Sequence, residues 1–158
     1  MRAMKKLEHL IEETRLWNNG KGVDVDAWIG HEGNFNLALG YSTIFWPRFM
    51  EFDGYIFREG TKAENVRGFE AQTHSTRKSV ECVINHVHIF DFHNHENDKA
   101  NAEKIAYLGN VLKEIYEAKL AWQFPSKPCT VSLFMPDDPE DLEGYQLTFW
   151  QTRHETDA

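Results

Sequence analysis

The segment Ser75–His95, STRKSVECVINHVHIFDFHNH, holds the residues whose types and spacing could do chemistry: His86, His88, Asp91, His93 and His95. Imidazole nitrogens and a carboxylate are good donors for zinc, iron or nickel. If the segment is helical through His95, then His88, Asp91 and His95 follow one another at steps of three and four and lie on one face, a candidate ligand set. If it is a strand, His86 and His88 share a face instead and Asp91 points the other way. The two geometries choose different ligands. No HExxH pattern and no Cys-His pattern of zinc-finger spacing accompanies them. Histidines at a helix C-terminus also have a structural motive, because an imidazolium there is favoured by about 0.3 to 1 kcal/mol through the helix dipole. The expectation is therefore that these residues are structural. A metal-dependent enzyme using His88, Asp91 and His95, helped by His86 or His93, is the alternative.

The second concentration of chemistry is acidic. Asp137, Asp138, Glu140, Asp141 and Glu143 fall within PDDPEDLEG with no intervening cation. A general acid or nucleophile needs a pocket that shifts its pKa, and a proline-rich loop is usually wet. The spacing also lacks the order and central glycine of an EF-hand. What such a loop can do is steer a basic partner by its field. Other templates fail: GKG at Gly20–Gly22 has no Ser or Thr after its lysine, and Ser42 lacks the second glycine of a nucleophile elbow. Cys82, one turn before His86, reads as a small buried hydrophobe.

The formal net charge of −8 sets the whole-molecule field against phosphate backbones and anionic lipid, so neither nucleic acid nor membrane is expected as a partner. Two cysteines, Cys82 and Cys129, make neither a disulfide framework nor a zinc spacing, and a reducing cytoplasm fits. The N-terminal MRAMKKLEHLIEE begins basic, but Glu8, Glu12 and Glu13 interrupt the apolar run of a secretory signal. With 41% hydrophobic and 13% aromatic residues, the chain has ample apolar surface for one core.

The elements that must position these residues follow from periodicity and breakers. Leu7, Leu10, Ile11 and Thr14 predict an amphipathic helix over 2–17, ended by Asn18, Asn19 and Gly20. Asp24 or Asp26 caps a short helix through Ile29. Asn34 or Asn36 caps another to Phe45, closed by Pro47. Phe49–Phe57 reads as a strand with Gly54 as a bulge, and 59–68 as a loop. Val80, Val83, Ile84, Val87 and Phe90 predict a helix from about Thr76 to Asp91, with Ser75 as its cap. A long helix capped by Asn97 or Asp98 runs to Trp122, and Cys129–Met135 and Tyr145–Thr152 are strands. The aromatics Phe45, Trp46, Phe49, Phe52, Tyr55 and Phe57 read as core rather than as a pocket.

The sum is a single α+β domain, 1–158 with a frayed tail from about 153: a small, mostly antiparallel sheet of about three strands against four or five helices. The expected function is a non-enzymatic interaction protein of the immunity or antitoxin type, with no cofactor and no catalytic residue. It would bind a basic protein through Asp137, Asp138, Glu140, Asp141 and Glu143. The remaining alternative is a small-molecule-binding or structural subunit in which Trp28–Phe57 builds a pocket or a self-association face.

Overall fold

A computed structural model describes residues 7–93 and 100–156. Among the described residues it contains six α-helices and two small antiparallel sheets, an α+β fold. The chain divides into two compact units, Met1–Ile44 and Phe45–Ala158.

The first unit is helical. A 3₁₀ turn at Leu7–His9 precedes α1 (Glu13–Leu16), so the amphipathic pattern is broken near Leu10 instead of running as one helix to Trp17. Residues 2–6 of that expectation lie outside the described residues. Asn18 and Asn19 both take positive φ, the left-handed conformation that Asn tolerates at a helix end. Asp24 caps α2 (Val25–Glu32) by accepting the Ala27 N–H at 2.7 Å. Asn34 caps α3 (Phe35–Phe45), accepting from Leu37 N–H at 3.0 Å. None of the residues of α2 and α3 is buried.

The second unit opens with a hairpin where the sequence reading placed one strand. β1 (Phe49–Phe52) and β2 (Tyr55–Arg58) pair antiparallel about Asp53-Gly54, both at positive φ. That is the conformation of a type I′ turn, whose right-handed twist matches the strands it joins. The stretch read as a loop over 59–68 holds the first six residues of α4 (Ala63–Glu70), which buries Val66. Its apolar signal is only Val66 and Phe69, three residues apart, and Gly68 masks it.

α5 (Arg77–Ile84) starts at Thr76 rather than Ser75, in a reciprocal capping box: Ser79 N–H donates to Thr76 Oγ1 at 3.1 Å and Thr76 N–H to Ser79 Oγ at 2.8 Å. It ends at Ile84, seven residues before the expected end at Asp91. β3 (Val87–His88) and a 3₁₀ turn at Phe90–His93 follow. The long helix α6 (Ala102–Gln123) is capped by Asn101, which accepts Lys104 N–H at 2.9 Å; the residues expected as caps, Asn97 and Asp98, lie outside the described ones.

β4 (Cys129–Phe134) and β5 (Gln146–Gln151) pair in register from Cys129 opposite Gln151 to Phe134 opposite Gln146, and the sheet order is β3-β5-β4. The tail is not frayed at its start, because Thr152–Thr156 forms a 3₁₀ turn and His154 is buried.

The core follows from the apolar stripes. Leu112, Tyr116 and Leu120 of α6 are buried, as are Val131 of β4 and Leu147 and Phe149 of β5. Phe49 packs edge-on against both Tyr116 and Phe149, with ring centroids 5.4 and 5.0 Å away. Tyr55, Phe57, Val66 and Val80 form a second cluster in which α4 and α5 cover the hairpin. Each fully buried Phe contributes on the order of 1.5 to 3 kcal/mol. Phe49, Tyr55 and Phe57 are thus core, whereas Trp46 is 55% exposed.

Candidate acidic interface and the histidine segment

The β4–β5 connection is held by its own short polar side chains. Asp138 Oδ1 accepts Glu140 N–H at 3.0 Å, and Asp141 Oδ1 accepts Gly144 N–H at 3.2 Å, capping a 3₁₀ turn at Leu142–Gly144. Asp and Asn favour such turns because the side chain reaches a backbone donor two or three residues on. Tyr145, buried at the root, donates its hydroxyl to Pro139 O at 3.4 Å. From outside the loop, His88 Nδ1 lies 2.9 Å from Glu143 O and Ile89 N–H donates to Tyr145 O at 3.1 Å. All five carboxylate residues are exposed, and among the described residues none is ion-paired.

The histidine segment is not a helix. α5 stops because Asn85 is wanted elsewhere: its amide donates to Ile56 O at 2.9 Å and Phe149 O at 3.2 Å, and its Oδ1 accepts Arg58 N–H at 3.2 Å. The chain then extends to pair Val87 with Leu147 and His88 with Gln146. His86 and His88 share a face with ring centroids 5.2 Å apart, and Asp91 sits apart from them in the 3₁₀ turn. The helical spacing that would align His88, Asp91 and His95 is therefore absent from His88 and Asp91, and His95 lies outside the described residues. No group of three His, Cys, Asp or Glu able to hold a metal occurs among the described residues. His86 is not turned to Cys82 as a base, since its Nδ1 lies 2.5 Å from Val83 O. Burial pushes the Cys82 thiol up, which disfavours the nucleophilic thiolate.

Three arrangements escape a reading by pattern. Glu81, fully buried, receives four donors: Ile56 N–H at 2.9 Å and Gln151 Nε2 at 2.7 Å on Oε1, Gln151 N–H and His154 Nδ1, each at 2.8 Å, on Oε2. With Asn85 one turn later, it fills the gap between the outer edge of β2 and the part of β5 beyond β3, supplying the acceptors and donors that a neighbouring strand would. Burial excludes substrate from this Glu81–His154 pair, so it staples the two sheets. The available signal was two polar residues four apart, Glu81 and Asn85, on the face of α5 where Val80 and Ile84 face the core.

The second arrangement is Lys119, only 5% exposed, whose Nζ lies 4.5 Å from the Trp46 ring and 4.3 Å from the Trp122 ring. An ammonium over two indole rings keeps an electrostatic partner although its own side chain is buried. The third is a group of arginines about the Asp53-Gly54 turn. Arg77 donates to Asp53 O at 2.6 Å, Arg153 to Gly54 O at 2.7 Å, and Arg67 to the Asp53 and Glu70 carboxylates. The hydrogen bond from Arg67, helped by that from Tyr55, holds the Glu70 carboxyl below its ordinary range.

Among the described residues no helix is long and apolar enough to cross a membrane. Comparison with protein-family models, with curated proteins and with solved structures found no match.

Proposed function

We propose that the protein is a non-enzymatic interaction protein that binds a basic partner protein through the acidic turn, an inhibitor of the immunity or antitoxin type. One observation carries the reading: Asp137, Asp138, Glu140, Asp141 and Glu143 are exposed on a backbone already ordered by its own caps and by the contacts from His88 and Ile89. An ordered anionic turn loses little conformational freedom when a partner arrives, and its charges raise the association rate of a cationic surface. The net charge of −8 acts in the same direction.

The test separates charge from architecture. Asp138 and Asp141 cap the turn, so the reversals are made at Asp137, Glu140 and Glu143, whose carboxylates bond to no backbone group among the described residues. A partner is captured on the wild-type protein and its affinity is measured for D137K/E140K/E143K. A loss of tenfold or more with a flattened salt dependence supports the reading. Unchanged affinity and salt slope remove the turn as the contact.

A second reading, a self-associating structural subunit, is favoured by α3. The run Gly33–Pro47 carries no charge, and Phe35 and Leu39 are 89% and 69% exposed. Light scattering from micromolar to millimolar protein decides this one, since a mass that stays monomeric throughout excludes it.

A further inference from the structure

α5 ends at Ile84 and the chain leaves Asn85 extended, so His86 and His88 project from the same side. Their rings meet edge to face at 79°, with centroids 5.2 Å apart. Each ring is held by one nitrogen. His86 Nδ1 lies 2.5 Å from Val83 O, and His88 Nδ1 lies 2.9 Å from Glu143 O. A carbonyl oxygen only accepts, so each Nδ1 carries the hydrogen and, in the neutral ring, each Nε2 keeps its lone pair. Neither Nε2 has a protein partner among the described residues. A backbone carbonyl on one imidazole nitrogen is the outer-shell contact that fixes tautomer and orientation in metal-binding histidines. The field is also suitable, because the Glu143 whose carbonyl holds His88 belongs to the exposed acidic turn, and a dication is attracted there.

We propose that His86 and His88 chelate one divalent transition-metal ion through their Nε2 atoms, with water completing its coordination. Two imidazoles select borderline ions such as Cu(II), Ni(II) and Zn(II), Cu(II) most tightly, over Ca(II) and Mg(II), which prefer oxygen. The site differs from the helical set His88, Asp91 and His95, because it needs an extended chain and uses neither Asp91 nor His95. It is independent of the acidic turn's role in partner binding.

The experiment is a Cu(II) titration of the untagged full-length chain in a buffer that does not coordinate copper. It is followed by calorimetry and by electron paramagnetic resonance. One equivalent is expected, with hyperfine splitting from two imidazole nitrogens. His86→Gln, at an exposed position, lowers the affinity at least tenfold with an unchanged circular dichroism spectrum, and His88→Gln does likewise. The pair His93→Gln and His95→Gln leaves it unchanged. Absence of saturable binding by the wild type, unchanged binding in H86Q, or loss of binding in H93Q/H95Q each overturns the assignment.

Discussion

Replacing Glu81 by glutamine keeps the shape of the side chain and removes its ability to accept on both sides. Four donors converge on the two carboxylate oxygens at 2.7 to 2.9 Å, with the residue fully buried. The amide oxygen of glutamine can retain one pair of them. Its NH₂ then faces the other pair: Ile56 N–H with the Gln151 amide, both donors, or Gln151 N–H with His154, whose ring can accept once its proton moves to Nε2. The second orientation leaves one buried donor without an acceptor, which costs about 1 to 3 kcal/mol. The neutral amide is easier to bury than a carboxylate, which offsets part of this. The expected loss for E81Q is about 1 to 3 kcal/mol, against the roughly 5 to 15 kcal/mol by which a domain is stable. Glu81→Ala, which also leaves a cavity, exceeds it. Urea unfolding followed by far-ultraviolet circular dichroism measures both, and the midpoint should fall with the slope preserved. His154→Ala in a double-mutant cycle should couple to E81Q by about 0.5 to 3 kcal/mol. A loss below about 0.5 kcal/mol for E81Q, or additive effects in the cycle, would refute the staple.

Three further outcomes follow from the second unit. Gly54→Ala should destabilise by about 1 to 3 kcal/mol in urea, since Gly54 has φ +79° and an added Cβ would lie 2.9 Å from Arg77 Nη2; an unchanged midpoint argues against the type I′ turn. Lys119→Met in a cycle with Trp122→Leu should reveal a coupling of about 0.5 to 2 kcal/mol from the cation over the indoles, and zero coupling removes that contact. Burial pushes Cys129 up to about 12. At pH 8 only about 10⁻⁴ of such a thiol is ionised, so alkylation should be roughly 10³-fold slower in the folded chain than in urea. The raised value also sets a sign. The folded form holds this proton more tightly, so its contribution is complete below the ordinary thiol value and is lost as pH rises from there towards 12. Cys129→Ala should flatten the alkaline limb of the stability curve, and an identical limb refutes the assignment.

Local chemistry was legible and long-range chemistry was not. The Asp24 and Asn34 caps, the Asn18-Asn19-Gly20 helix end, the stripe of α6 and the β4–β5 pair all follow from residues within a few positions of one another. The acidic turn was legible too, because Asp138 and Asp141 act on their own backbone. The β1–β2 turn carried its signal in Asp53-Gly54, but aromatics on both sides of that pair made one strand look continuous. The histidine segment failed for a different reason. The spacing of Val80, Val83, Ile84 and Val87 continues a helix past its true end, and nothing nearby shows that Asn85 is required by Ile56 and Phe149, the latter 64 positions away.

That requirement makes Asn85 the link between the buried staple and the exposed turn, and Asn85→Ala tests the link. The substitution leaves Arg58 N–H and the carbonyls of Ile56 and Phe149 without this partner, at a cost of about 2 to 4 kcal/mol, most of it from the donor. Asn85 also fixes where the chain turns from α5 into β3, and β3 carries the His88 contact to Glu143 O and leads to the Ile89 contact with Tyr145 O. With the exit loosened, amide exchange at Ile89, Glu140 and Gly144 should quicken by more than the global loss of stability accounts for, through local opening. The β1–β2 hairpin amides other than Arg58, which loses its acceptor directly, should follow the global value. Uniform acceleration across the chain would mean that Asn85 contributes stability alone, and that the acidic turn is ordered by its own caps without help from the core.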